Sequence, residues 1–359
     1  MAITASMVKD LREMTGAGMM DCKKALTETN GDMDAAVEFL RKSGAAKMEK
    51  KASRIAAEGI ARVASNENAA VVVEVNSETD FVAKNEVFQE FVQTVADTAL
   101  ASGLAGGKDG EDINAVIEMN GLKELIVEKT ATIGEKLSVR RFAKVTGDCV
   151  ASYIHAGGKI GVLVAATGAN DDAAKEALTN VAMQIAAMNP QYIRRDEISA
   201  DEMAKIKEIT IDSALNDPAS LPKPILNKLI ATATTEKLWS DEDIAIYEEK
   251  KSDMKYLFNF LSDAATAKLA ELAMNGRADY LNDQIFTGLV DGRISKYLKE
   301  ISLMDQTYVK AEDGKQTVAK YLESVNKELK VSNFVRFEVG EGMEKKNEDF
   351  AAEVAAQMA

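Results

Sequence analysis

Histidine is almost absent from this chain: His155 is the single one in 359 residues. A histidine-based metal site or a Ser-His-Asp relay would have to be assembled around that side chain alone. Cysteine is nearly as scarce. Cys22 and Cys149 stand apart with no paired spacing, which points to neither a disulfide framework nor a zinc site and fits a reduced, cytoplasmic compartment. No run approaches the roughly 18 apolar residues of a membrane span, and the N-terminus has no basic segment leading into an apolar core and a small-residue cleavage site. Phosphate loops are missing as well. Gly106-Gly107-Lys108 has Ser102 in place of the first glycine and Asp109 in place of Ser or Thr, and Gly157-Gly158-Lys159 fails likewise at Tyr153 and Ile160. Positive charge is outnumbered 58 to 44, a formal −14, which argues against wide binding to a nucleic-acid backbone. One stretch departs from that balance, Arg41, Lys42, Lys47, Lys50, Lys51 and Arg54 with only Glu49 opposing, and its simplest reading is a solvated helix face.

What is present is an ordinary globular composition, 46% apolar and 28% charged, in a chain long enough for two or three cored domains. Residues 1–40 read as three short helices. Thr4 is the candidate N-cap, Val8 and Leu11 begin an apolar face, and Gly16-Ala17-Gly18 and Asn30-Gly31-Asp32 are the breaks. An internal repeat follows at an offset of about ninety residues. In the first copy, strand Val71-Val72-Val73-Glu74-Val75 leads through a loop into a helix with Phe88, Phe91, Val92, Val95 and Ala99 on one face. In the second, Tyr153-Ile154, a Gly-rich turn and a strand over 160–164 lead through Thr167-Gly168-Ala169-Asn170-Asp171 into a helix carrying Leu178, Val181, Ala182 and Ile185. Between the copies, Lys136-Leu137-Ser138-Val139-Arg140-Arg141-Phe142 alternates as a half-buried strand. All four prolines, at 190, 218, 222 and 224, bracket a helix over about 198–216. Met254, Leu257, Phe258, Leu261, Leu269 and Leu272 mark a second amphipathic helix, and Phe286, Leu289, Val290, Tyr297 and Ile301 a third. Trp239, in the same region, reads as packing. Phe334-Val335-Arg336-Phe337-Glu338-Val339 alternates as a strand able to rejoin the second sheet, and 350–358 reads as a closing helix.

Only the first copy carries Asp-Phe in its loop, within Thr79-Asp80-Phe81-Val82-Ala83-Lys84-Asn85. Such strand-to-helix corners are where a rigid scaffold presents side chains to a partner. Two readings of Phe81 stay open on the residues alone. Positions 81, 88 and 95 lie seven apart, so the ring either starts the buried face of its own helix or projects from it. Asp80 is most simply an acid at a helix N-terminus, and Lys84 and Asn85 are surface or capping residues. Met19 and Met20 are adjacent, so they cannot both face one way on a helix, and at least one is exposed.

These motifs carry a resemblance. Met14-Thr15-Gly16-Ala17-Gly18-Met19-Met20-Asp21-Cys22-Lys23-Lys24-Ala25-Leu26, the Thr-Asp-Phe-Val loop, Ile133-Gly134-Glu135-Lys136, Gly161-Val162-Leu163-Val164, Met188-Asn189-Pro190 and the 334–342 run stand in the order found in translation elongation factor Ts. The chain closely resembles that family over 1–100, 129–216 and 282–359, and weakly over 217–281, where its arm is longer. Gln306-Thr307-Tyr308-Val309 departs from the family's Pro-Phe pair, and no role is carried to it. The resemblance implies an exchange factor without an active site or cofactor of its own. It would bind the GTPase elongation factor Tu in its GDP form, displace Mg²⁺ and disturb the phosphate site so that GTP can enter. Asp80 and Phe81 would be the intruding pair, with Thr79 and Val82 shaping the loop. Met19, Met20, Lys23, His155 and Phe350 would be secondary contacts. The implied fold is α+β: a ubiquitin-associated-like three-helix module with a basic linker (1–54), two related subdomains with small antiparallel sheets (55–143, and 144–189 with 302–340), an inserted antiparallel, coiled-coil-like helical arm (190–301) and a C-terminal helical module (341–359). The arm is associated with self-association in some members, which leaves a homodimer open; nucleic acid and membrane are not expected partners. Apart from the resemblance, the residues also suit an adaptor that recruits a protein through the N-terminal helices without accelerating nucleotide release.

Overall fold

The computed structural model describes residues 3–344. They form two compact units, 3–189 with 307–344, and Pro190–Gln306.

The first unit opens with α1 (Ala5–Thr15), α2 (Met19–Glu28) and α3 (Met33–Lys51). Thr4 caps α1, accepting from the Met7 N–H, and Gly16 ends it in the left-handed conformation at φ 65°. The small core of these helices is Val8, Leu11, Cys22, Ala25, Leu26 and Ala36. The basic stretch read as a linker is mostly helix, because α3 runs unbroken through Lys51. Its one glycine, Gly44, does not break it. A Cβ there would stand 3.1 Å from Val127 on α7 (Leu122–Ile133), so the glycine marks a close helix crossing. Lys50 and Lys51 fall in the last turn, where cations complement the helix dipole.

Next come β1 (Glu58–Ser65), β2 (Ala69–Ser77), the single turn α4 (Asp80–Ala83), α5 (Glu86–Ala101), α6 (Ile113–Ile117), α7 and β3 (Ser138–Thr146). The second half has β4 (Cys149–His155), a 3-10 turn at Ala156–Gly158, β5 (Ile160–Thr167) and α8 (Asp172–Met188). After the other unit, α15 (Val318–Val325) and β6 (Lys330–Glu338) complete it. Each sheet has three antiparallel strands with the repeated strand in the middle, in the orders β1-β2-β3 and β4-β5-β6. The 334–339 segment thus rejoins the second sheet through β6.

The strand alternation decides the layering. Val71, Val73 and Val75 face one way, into a core with Phe88, Phe91, Val92 and Val95 of α5 and Ile126 of α7. Ala70 and Val72 face the other way and join Ala61, Ala143 and Val145 against Leu163, Ala165 and Phe337 of the second sheet. Helix α8 covers the far face of that sheet with Leu178, Val181, Ala182 and Ile185, all buried. The order is helix, sheet, sheet, helix, and the small residues at the middle let the sheets come close. At Gly161 they come close: a Cβ would lie 2.7 Å from the Val72 methyl and 3.0 Å from Ala61. Gly161→Ala is therefore expected to cost about 1–3 kcal/mol by overpacking, read as a lower urea midpoint of the sheet unit. An unchanged midpoint would show that the sheets can separate freely.

In the second unit, α9 (Ala200–Asn216), α10 (Lys223–Thr235), α11 (Asp241–Lys250), α12 (Asp263–Asn275), α13 (Arg277–Tyr280) and α14 (Gln284–Ile301) enclose their own apolar core. Trp239 is buried in it and its indole N–H donates to the Ala265 carbonyl at 3.0 Å. The helix expected through Met254 and Leu272 is not continuous. Leu257–Asn259 is a 3-10 turn, and Ser262 starts α12 afresh by capping the Ala265 N–H. A serine N-cap inside an apolar series outweighs the periodicity on either side of it.

Candidate functional site

The corner after β2 is built by local caps and one distant carboxylate. Ser77, at the end of β2, donates its hydroxyl to the Thr79 carbonyl at 3.0 Å. Thr79 is extended, with φ −128°, and its hydroxyl accepts from the Val82 N–H as the N-cap of α4. A threonine hydroxyl is also a donor, and here it donates to Glu135 Oε1 at 2.6 Å. The Glu78 and Thr79 N–H groups both donate to Glu135 Oε2 at 3.0 Å. At the far end, the Asn85 carboxamide oxygen accepts from the N–H groups of Val87 and Phe88, at 2.9 and 3.3 Å, and starts α5.

That second cap explains why the heptad spacing misleads for Phe81. Helix α4 stops at Ala83 and α5 restarts at Glu86, so residue 81 does not share the face of 88 and 95. Ala83 is buried and Val82 packs against the first sheet's core, which turns Phe81 outward. Its ring is 79% exposed, the highest value among the exposed large apolar residues described. The burial reading of Phe81 is overturned for the free chain. Asp80 leads the same turn. Lys84 Nζ pairs with its carboxylate at 2.8 Å and lies 6.0 Å from the Phe81 ring centre. The Lys84 hydrogen bond holds the Asp80 carboxyl below the usual range. The turn therefore presents an ionised carboxylate, paired with Lys84, beside an exposed ring.

Other sequence-predicted residues lie elsewhere. Met19 and Met20, 59% and 75% exposed, stand with Lys23 on α2 and line a groove with Val8 and Arg12 of α1. His155 is exposed at the end of β4, its Nδ1 3.1 Å from the Tyr153 hydroxyl. The turn after it, Ala156–Gly158, packs on β1, as α4 does, so His155 and the tip are served by one strand. Phe350 lies outside the described residues. Sequence reasoning assigned no role to Glu135: its partners are 56 and 57 positions away, and nothing local announces them. Lys84, read as a surface residue, also engages the tip.

Among the described residues, no group of three or more His, Cys, Asp or Glu side chains could hold a metal ion, and no helix is long and apolar enough to cross a membrane. Cys22 and Cys149 are free and buried, and burial pushes both thiols up.

The model of the family described as elongation factor TS matches residues 78–250 and 259–341, beginning at the tip and leaving the N-terminal helices outside the match. Elongation factor Ts of Clostridioides difficile (strain 630) is 42% identical over 367 residues, spanning 99% of each chain. With the family model matched over most of its length and a relative this similar from end to end, the chain belongs to the elongation factor Ts family, nucleotide exchange factors of elongation factor Tu in translation and not enzymes.

Proposed function

We propose that residues 79–82 are the working tip of this exchange factor. Phe81 enters the GTPase beside its nucleotide, and the Asp80 carboxylate disturbs the partner's Mg²⁺ and phosphate contacts. Thr79 and Val82 hold the turn that presents them. The observation that carries this reading is an apolar ring left in solvent on a backbone capped at both ends. An exposed ring on an ordered turn is ready to be buried elsewhere at little further cost in conformational entropy.

Magnitudes limit what the tip does alone. Weakening GDP a thousandfold takes roughly 4 kcal/mol of coupling, and by reciprocity GDP weakens the factor equally. Burying one Phe is worth about 1.5–3 kcal/mol. Docking energy has to come from other contacts, and Met19, Met20, Lys23, His155 and Phe350 are proposed for it. In this reading 1–54 acts as a ubiquitin-associated-like docking module and 341–359 as a second grip. The sheet subdomains, 55–143 and 144–189 with 302–340, form the frame. Segment 190–301 is the family's coiled-coil-like protrusion, and its exposed Tyr256 and Phe260 are where self-association into a homodimer would begin.

The test is to mix the chain with elongation factor Tu preloaded with fluorescent GDP. Rapid loss of signal is expected. Complex formation with an unchanged release rate would instead identify an adaptor.

A further inference from the structure

The geometry points to Glu135 as a positioning residue for the tip, a carboxylate that sets the angle at which α4 leaves the sheet. The inference rests on the reading of 79–82 as the working tip.

A chain leaving a strand for a one-turn helix has little to hold it. Four helical residues bury only Ala83 and part of Val82, and isolated turns are unstable. Glu135 supplies the missing hold. It gathers the two backbone N–H groups just before the turn on one oxygen and the capping hydroxyl on the other. Charge-assisted bonds of this kind are stronger than neutral ones. The Thr79 hydroxyl links the clamp to the cap, since it donates to Glu135 while facing the Val82 N–H.

The clamp itself stands on fixed ground. Glu78 returns the contact, its Oε1 accepting from the Lys136 N–H at 2.6 Å, so residues 78–79 and 135–136 bind each other in both directions. Glu78 also pairs with Arg54 at 3.2 Å. Lys136 Nζ donates to the carbonyls of Ala52 and Arg54, at 2.6 and 2.8 Å, and Lys51 donates to the Gly134 carbonyl. The 134–136 turn is thereby strapped to the end of α3 on one side and grips the tip on the other. Glu135 need not touch the partner to act. It acts by removing alternative directions for α4, which is preorganisation in the sense that matters for a wedge.

Hydrogen exchange and nucleotide release, measured on Glu135→Ala, Glu135→Gln and Thr79→Val, separate the outcomes. In the isolated chain, Glu135→Ala should speed amide exchange over 77–83 by about tenfold or more, as expected when local opening replaces a held turn. The maximal rate of GDP release from elongation factor Tu should fall about tenfold, the equivalent of one charge-assisted hydrogen bond. The half-saturating concentration should change less than about twofold. Glu135→Gln keeps an acceptor for the two amides and should recover most of both effects. If the alanine variant does not fold, Thr79→Val, which removes the hydroxyl donor to Glu135 together with the cap on the Val82 N–H, reads the same two quantities. Unchanged exchange over 77–83 overturns the proposal, and so does loosening without a slower release. A wild-type chain that fails to accelerate release at all would defeat the tip reading instead, while the exchange measurement still reports on the clamp.

Discussion

Phe81→Ala is expected to slow GDP release from elongation factor Tu by about 10- to 150-fold, the rate equivalent of the roughly 1.5–3 kcal/mol that burial of a Phe supplies. Binding to the nucleotide-free GTPase should weaken far less than release slows. The asymmetry follows from the direction of the ring. In the free chain Phe81 is 79% exposed and contributes almost nothing to its own core, so under the proposed mode the variant removes only a contact with the partner. The fold has no reason to respond: Val82 and Ala83 carry the inward packing of α4, and Thr79 and Asn85 carry its caps. A melting curve that matches wild type would show that only the tip was altered. Stopped-flow release of fluorescent GDP and equilibrium binding on the same protein decide the matter. Lost binding with unchanged release would make Phe81 an anchor and end the wedge account. A second consequence concerns Asp80. Its carboxylate is occupied by Lys84 in the free chain, so insertion has to exchange that ion pair for new contacts. The pair is exposed, where such bridges contribute little, and the exchange is correspondingly cheap.

The layers of this fold were legible where periodicity was strong and local. Phe88, Phe91, Val92 and Val95 announced α5, and the apolar run at 71–75 announced a strand, which the structure buries on both faces. The repeat pointed to two sheets because strand and helix recur at one spacing. Less was legible where one residue overrides a pattern. Ser262 restarts a helix inside an apolar series, and Asn85 does the same after the tip, which is why the spacing of 81, 88 and 95 gave no guide to Phe81. The charge of the basic stretch after residue 40 suggested a solvated helix face, while the resemblance implied a linker; α3 continues through it to Lys51, and Gly44 packs it against α7. The tip's residues could be singled out from the motif alone. Its support could not, since Glu135 is joined to it only by tertiary contact.

The same limit applies to Glu74, a charged residue whose loss should damage the fold. It is fully buried on β2, a carboxylate in a run of valines. Opposite it, the pairing of β2 with β3 slips by one residue: Glu74 faces Arg141 and Val75 faces Val139, which leaves Arg140 as the bulged residue. The bulge lets two consecutive arginines reach one carboxylate, Arg140 at 2.9 Å and Arg141 at 2.5 Å. The Gly340 N–H, just past β6, donates to Glu74 at 2.8 Å, and Asn76 does so at 3.0 Å. Arg141 also reaches the Glu338 carbonyl, at 3.1 Å, and lies over the Phe337 ring at 4.2 Å. One carboxylate thus joins the first sheet to the last strand of the second. Glu74→Ala leaves a buried guanidinium without its main counter-charge, which typically costs 3–5 kcal/mol. Arg141 keeps the half-exposed Glu341 at 3.2 Å, so the lower end, about 3 kcal/mol, is expected. Tryptophan fluorescence is the wrong probe, because Trp239 belongs to the other unit. Amide exchange along β2 and β6 reports the right core and should lose about two orders of magnitude of protection, the equivalent of that free energy. Glu74→Met combined with Arg141→Met should restore only part of it, because replacing the buried pair by apolar side chains removes the unpaired guanidinium but still leaves the Gly340 N–H, Asn76 and Arg140 without their acceptor. Loss of less than tenfold in Glu74→Ala would mean that β6 is held by apolar packing alone, with the carboxylate a passenger in the interface.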